Sequence, residues 1–481
     1  MSHTTKKNSL TTGIDKTSTM FFLFAVIILE GYVVLSSELL AIRQSIPYTG
    51  SGTETVSIII AAVLMPLAFG YHAGGRFKPT PRFGIRKKLI FNILLAMLFL
   101  LPGLSYMVIH DLYFMSLKVG ITHRLAHVTL YSLLFLVTPV YLLGQTIPLI
   151  SNYFGREKLA KVTGKILFFS TIGSFLGAVF STLVLMAHIG VDKTITINFF
   201  ILAGLVIILS KRKFSGPVLI ACALALGGVA LNSDRALDRF NILESNLYNT
   251  ISILNQNGKR HLILNNSPSS MYSDTGQKYA YIELAEELAL DDIRGANPPK
   301  DILVIGAGAF TFGFEDDTNN YDFVDIDKAL KKVAEDHILP ANLGENKTFH
   351  PMPARAFLSQ TNKTYDVILL DTYFGKLTLP EHLITRDFFM EIKQHLNEDA
   401  VLVTNFVASP NFLDQFSRTL DSTVRSAFPY VSRHVLRNKY EPWNTNKQLI
   451  RNVMYVYRHD SDYGDPAIYT DNKNRAFLDK P

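Results

Sequence analysis

Apolar residues follow two regimes along this chain. Up to position 232 they come in long blocks, and beyond it in short runs of strand length. Seven blocks approach the roughly 20 apolar residues that carry a helix across a bilayer: about 20–42, 54–75, 88–109, 128–150, 164–189, 194–210 and 214–231. They predict an α-helical polytopic membrane domain over 1–232. Past that point, Tyr248–Leu254 and Arg260–Leu264 alternate apolar and polar on either side of Asn257-Gly258, the signature of a tight hairpin. Residues 276–290 have helical spacing. From Asp301 the pattern alternates: strand 301–305, strand 321–324, helix 327–338, strand 365–370, helix 385–396, strand 400–404. Such alternation predicts a mostly parallel, doubly wound α/β sheet of Rossmann-like type. A last strand pair is expected around Trp443 and Asn452–Tyr457. The domains expected are therefore 1–232 in the membrane, a small β-rich subdomain with a helix over 233–290, and the Rossmann-like domain over 291–481.

Charge supports this division. Only 18% of residues are charged, and the net charge of +6 does not indicate nucleic acid, because the basic residues gather in short loops between apolar blocks. Lys6, Lys7 and Lys16, six Lys/Arg in 72–88, four in 151–165 and three in 211–213 give sixteen on one side. Arg43, Lys118, Arg124 and Lys193 give four on the other. Positive loops stay in the cytoplasm, so the chain is expected in the cell (inner) membrane, multi-pass, with a cytoplasmic N-terminus that acts as a retained signal-anchor. The soluble part lies outside the cytoplasm if all seven blocks cross, and inside it if the short, Pro- and Gly-containing 214–231 does not. Cys222 is the only cysteine, which excludes a disulfide framework, and no His/Glu cluster has metal-ligand spacing.

Two features of the membrane half carry open alternatives. Gly173-Ser-Phe-Leu-Gly177 has the small-residue spacing that lets helices approach closely in lipid, and packing is the plain reading. Glu30 and Glu38 lie in the first block. Glu38 is near the block's end, within reach of the interface beside Arg43. Glu30 is either a functional charge or a protonated or internally paired side chain holding helices together.

In the soluble half the chemistry falls at strand ends, where doubly wound sheets bind ligands. Ile305-Gly306-Ala307-Gly308 ends one strand, and the glycine pair permits a tight turn and close ligand approach. It is not a Walker loop, since no Gly-Lys-Ser/Thr follows. Asp325 ends the next strand, 19 residues after Gly306, near the spacing at which a carboxylate accepts both ribose hydroxyls. Asp371 ends a third strand and would bind or deprotonate an amine, or else merely cap the strand end.

These residues resemble the spermidine synthases (polyamine aminopropyltransferases) in membrane-fused form. Tyr248-Asn249-Thr250-Ile251 resembles the family's opening strand, Leu262–Asn266 its Leu-Asp-Gly segment, Asp274 with Tyr281-Ile282-Glu283 its Asp…Tyr-x-Glu helix, and Val324-Asp325-Ile326-Asp327 its Val-Glu-Ile-Asp. Tyr365–Asp371 and Leu379–Thr385 are similar to the gate segment, and Glu38–Arg43 and Leu143–Leu149 to signatures of the membrane-fused variant. The resemblance implies an adenosylmethionine-transferase type of fold and transfer of an aminopropyl group from decarboxylated S-adenosylmethionine, as co-substrate, to a small cationic amine such as putrescine. It implies no metal, a lipid bilayer as partner, and a homodimer through the soluble domain. By matching motif, Asp371 would be the base and Tyr281 would orient the attacking amine. Gly306, Gly308, Asp325 and Asp327 would hold the co-substrate, with Asp274, Glu283 and Asn249 at the amine. Three positions depart from the family: Ala309, Pro353 and Phe374 stand where it has carboxylates, and Asn249 replaces a Gln. The sequence therefore supports an aminopropyl-transferring enzyme and, alternatively, a degenerate synthase-like module that binds a polyamine or other ligand beside the membrane half. Methyl transfer on the same fold is a third reading.

Overall fold

A computed structural model describes residues 16–50, 52–152, 159–373, 379–436 and 450–458. It divides into two compact units, Met1–Leu247 and Tyr248–Pro481; Trp443 and Phe374 lie outside the described residues.

The first unit is helical and ends on a short strand, β1 (Ile242–Ser245). Four of its helices are long and apolar enough to cross a membrane: Phe22–Thr49, Thr53–Gly75, Thr163–Ile189 and Val191–Leu209. Two further pairs, Ile85–Gly103 with Tyr106–Lys118 and Arg124–Phe135 with Val137–Ser151, qualify together but bend by 64° and 43°. The count among the described residues is thus four, or six if each bent pair is one span, where the sequence suggests seven. The first bend falls after Gly103, where the helix Ile85–Gly103 ends, and proline explains the second. Pro139 lies just past the second break and cannot donate to the Phe135 carbonyl four residues back. The seventh block forms only Gly216–Leu231, 16 residues, about 24 Å at the α-helical rise.

Glycine sets the tightest contacts in this unit. A Cβ at Gly173 would lie 2.2 Å from the Ile28 carbonyl oxygen, and one at Gly177 would lie 2.3 Å from that of Tyr32. The interior also carries polar groups. Ser36 Oγ meets Ser181 Oγ at 2.8 Å and Asn198 at 3.2 Å. Asn92 Nδ2 donates to the Leu142 carbonyl at 3.0 Å and to Gln145 Oε1 at 3.1 Å. Glu30 is only 3% exposed.

In the second unit, β2 (Thr250–Gln256), β3 (Lys259–Leu264) and β4 (Ser267–Ser273) pair antiparallel in chain order. Asn257 and Gly258 turn the first hairpin with positive φ of 52° and 70°, as a two-residue turn matched to strand twist requires. The helix Ala280–Ala289 follows and buries Ile282, Ala285 and Ala289 along one face. The remaining strands are β5 (Asp301–Ile305), β6 (Asn320–Asp325), β7 (Lys347–Pro351), β8 (Tyr365–Leu370), β9 (Leu396–Ala408), β10 (Val431–Val435) and β11 (Arg451–Arg458). They form one sheet in the order β10-β11-β9-β8-β5-β6-β7. It is parallel from β9 through β7 and antiparallel at the β10/β11 edge.

Successive strand residues point to opposite faces, and both faces are covered. Ile302 and Val304 of β5 enter one core with Phe323, Val367 and Val403; Leu303 and Ile305 enter the other with Ile368, Leu402 and Tyr455. The order reverses between β5 and β8, which places a crevice beyond their carboxyl ends.

Candidate active site

The crevice holds a cavity of about 360 Å³. At its floor β5 turns on Gly306, with φ +94°, and Gly308, with φ +52°. Both values lie in the left-handed region that glycine tolerates. A Cβ at Gly306 would lie 2.0 Å from the Asp371 carbonyl oxygen, and Asp371 N donates to the Ile305 carbonyl at 2.9 Å. The glycine turn and the end of β8 are therefore in direct contact.

Four of the sequence-predicted polar side chains line this one cavity: Asp371, Tyr281, Asp325 and Asn249, together with Gly306 and Gly308. Asp325 closes β6 onto the turn. Its Oδ2 accepts from Ala307 N at 3.1 Å and its Oδ1 from Asp327 N at 3.0 Å. Burial pushes its carboxyl up to about 6, against those backbone hydrogen bonds, which favour the charged form, with Asp327 adding to the rise. Asp371 Oδ1 accepts from Asn405 Nδ2 at 2.9 Å. Burial raises its carboxyl to about 6 as well, opposed by Asn405 and Tyr281. The Tyr281 hydroxyl donates to the Ser269 carbonyl at 2.6 Å. Burial first, then the neighbouring Asp371, holds that phenol well above its ordinary value, so it stays protonated.

Other predicted residues lie elsewhere. Asp327 is 1% exposed and absent from the cavity wall; it accepts from Asn249 Nδ2 at 2.8 Å and from Ala329 N at 3.1 Å. Its role here is to position Asn249 and start a helix. Asp274 is outside the wall, its side chain 72% exposed at a hairpin end and 3.7 Å from Arg260. Glu283 is exposed and accepts from Lys278 N at 3.2 Å, closing the first turn of Ala280–Ala289. Neither faces the cavity.

Several lining residues escape sequence reasoning. Asn405 is one residue beyond the expected strand end at 404. The register Leu370↔Thr404 of parallel β8 and β9 sets it beside Asp371, and that pairing is the signal that could have found it. Ser269 and Ser270 close the side facing the turn, with Ser270 Oγ accepting from Ala309 N at 2.9 Å. Ala309 itself is 0% exposed and outside the wall, whereas Pro353 and Ala354 are part of it. His382 and Leu383 come from the 379–385 segment. Arg355 fastens that segment through the His382 carbonyl and the Thr385 hydroxyl, both at 3.1 Å.

The second unit is thus a Rossmann-type mixed sheet with a glycine turn and carboxylates at its carboxyl rim. Residues 286–437 match the family described as the spermine/spermidine synthase domain. The chain is 34% identical over 136 residues to a polyamine aminopropyltransferase of Vibrio vulnificus, covering 26% of this chain and 44% of the relative. With the polyamine aminopropyltransferase of Oceanobacillus iheyensis the identity is 24% over 295 residues, covering 56% of each. The chain spans about half the length of the curated relatives it matches. A crystal structure of a probable spermidine synthase from Corynebacterium glutamicum is 16% identical, with a TM-score of 0.38 over 45% of this chain and 81% of that one.

Proposed function

We propose that the second unit transfers an aminopropyl group from decarboxylated S-adenosylmethionine to a small diamine such as putrescine. The observation that carries this reading is the convergence of Asp371, Tyr281, Asp325 and the Gly306 turn on one cavity of about 360 Å³. The residues fit the co-substrate in chemistry. The glycine turn admits a nucleoside against the backbone, and Asp325 is a carboxylate, its two oxygens fixed by backbone amides, placed to accept from ribose hydroxyls.

In the transfer, the amine nitrogen bonds to the carbon next to the sulfonium, the carbon–sulfur bond breaks, and its electron pair stays on sulfur as a neutral thioether. The nitrogen must shed a proton. Asp371, at about 6, is mostly ionised at pH 7 and can accept it. Asn405 holds that carboxylate in place, and Tyr281, kept protonated, offers a hydroxyl beside it. The rest is positioning of two bound cations in line.

One observation favours a second reading. Where the family has a carboxylate for the aminopropyl amine, this chain has the buried methyl of Ala309, and neutral Ser269 and Ser270 line that side. A cavity with fewer negative groups suits ligand binding without transfer. Purified protein given labelled decarboxylated S-adenosylmethionine and putrescine separates the two. Labelled spermidine, reduced at least about 100-fold by Asp371→Asn, supports transfer, since a lost general base removes on the order of 10²–10⁴ in rate. Binding of putrescine or the donor without product supports the second reading, and the absence of both product and donor binding removes the first.

We further propose that the first unit lies in the cell membrane with its N-terminus in the cytoplasm. The apolar helices and the basic loops support this.

A further inference from the structure

We propose that the helical unit carries a docking surface for anionic lipid headgroups, built where the loop over 76–88 meets the loop over 210–215. The proposal rests on the placement of that unit in a membrane. The two loops hold nine Lys/Arg, six over 76–88 and three over 211–213. No Asp or Glu lies between Glu54 and Asp111, or between Asp192 and Asp234, so neither the loops nor the helix ends that carry them supply a countercharge. Seven of the nine are exposed. Among the described residues none of them enters an ion pair.

Folding brings the two loops to one place. Arg86 Nε donates to the carbonyl of Leu209, the last residue of the helix Val191–Leu209. That bond sets the start of Ile85–Gly103 beside Lys211-Arg212-Lys213 and uses one of the five guanidinium N–H donors. The longer loop is folded back on itself, with Lys87 Nζ donating to the Arg82 carbonyl at 2.8 Å. Phe83 packs edge-on against Phe77 at 6.3 Å and Phe91 at 6.4 Å, and Lys88 Nζ lies 5.8 Å from the Phe91 ring centre. Cations at the other end of Thr53–Gly75 are treated differently. Arg124 pairs with Glu54, and Arg43 Nε donates to the Asn246 carbonyl at 2.8 Å. Those are answered from inside the protein, whereas the nine here are left for an external anion.

Two features select a lipid surface over a soluble phosphate or a nucleic acid. Exposed rings stand among the cations: Phe83 is 39% exposed and Phe214 is 90% exposed. Rings so placed enter the layer where headgroups meet acyl chains. Further along the same helices the exposed side chains turn apolar: Phe69 on Thr53–Gly75, Phe91 and Leu98 on Ile85–Gly103, Leu219 on Gly216–Leu231. A belt of cations at the end of an apolar wall matches phosphate at the edge of hydrocarbon. Clusters of roughly four to eight Lys/Arg at the end of a spanning helix attract acidic headgroups, and the forked arginine donors suit phosphate oxygens.

The test uses the full-length chain. Thermal unfolding in detergent is followed as phosphatidylglycerol or phosphatidylcholine is added. Bound lipid stabilises the folded state by mass action, so phosphatidylglycerol should raise the midpoint by several degrees at low salt and phosphatidylcholine should not. Sodium chloride should erase the difference, because exposed charges are screened. Arg82→Gln/Lys87→Gln joined with Arg212→Gln/Lys213→Gln should lose most of the shift, whereas Lys118→Gln/Lys193→Gln, in the remaining loops, should keep it. Equal responses to the two lipids, or a full response in the four-residue variant, overturn the site. Glycerol phosphate or an oligonucleotide that matches the shift given by phosphatidylglycerol also overturns it, since the ligand would then not be a lipid. Should the four-residue variant fail to fold, each pair is measured alone, and a shift unchanged in both overturns the site. The membrane placement is read separately. Protein that leaves phosphatidylcholine vesicles in an alkaline wash removes that placement, whereas retained protein without lipid preference removes only the docking surface.

Discussion

At the scale of single residues, the proposed transfer makes Asp371 matter to both chemistry and stability. Its carboxyl stands at about 6, above the ordinary 3.8. As the proposed base it would act in the ionised form, so the rate should climb with pH through about 6 and level off above it. Stability runs the other way. A raised carboxyl binds its proton more tightly when folded, so its contribution is present below about pH 4 and is lost as pH rises through 6. Asp371→Asn should therefore raise the unfolding free energy at pH 8 by on the order of 1 kcal/mol, discounted for partial exposure, while reducing transfer at least about 100-fold. Denaturant titration of both proteins at pH 5 and pH 8 checks this: the gap should narrow at the lower pH. The strand-end residues Gly306, Asp325 and Asp371 were legible because an apolar run of four to six residues announces where a parallel strand stops. Asp274 and Glu283 were not, since the helix and hairpin that carry them turn those side chains to solvent, and only tertiary packing decides that.

Among the elements, legibility followed hydrophobic contrast. β5 and β8 each carry an unbroken apolar run of four residues, 302–305 and 367–370, and stand at the expected bounds. β4 (Ser267–Ser273) and β7 (Lys347–Pro351) carry few apolar residues and were not anticipated, because neighbouring strands rather than their own side chains hold them. In the helical unit, the Gly173/Gly177 spacing announced a close contact but not its partner. The structure makes that partner the first helix. Gly177→Leu should destabilise the helical unit by at least ~2 kcal/mol, since the added side chain meets backbone that cannot yield. Gly164→Ala, with open space around its Cβ, should be neutral or slightly stabilising. Thermal unfolding of the two variants in detergent separates a specific contact from general sensitivity of the bundle.

For the whole molecule, the proposed membrane placement makes the parity of crossings decide where the second unit would reside. Gly216–Leu231 spans about 24 Å, short of the ~30 Å hydrocarbon core. With the N-terminus in the cytoplasm, as proposed, six crossings would return the chain to that side, where an adenosyl donor is made; seven would export the second unit. A reporter active only in the cytoplasm, fused after Pro481, should therefore give signal. An export-dependent reporter that lights instead would oppose the enzymatic reading. Counting apolar blocks could not decide this, because a block's length in sequence does not reveal where proline bends it.

The contact between Gly306 and the Asp371 carbonyl has a consequence for energetics. On the proposed function, a sulfonium lodged against that turn would arrive beside this carboxyl, held at about 6, and draw it toward the anion. Occupancy and ionisation would then be one linked equilibrium, in which each donor molecule captured near pH 6 would expel part of a proton into the medium. The acidity of the surroundings would thereby act as a competitor for the pocket.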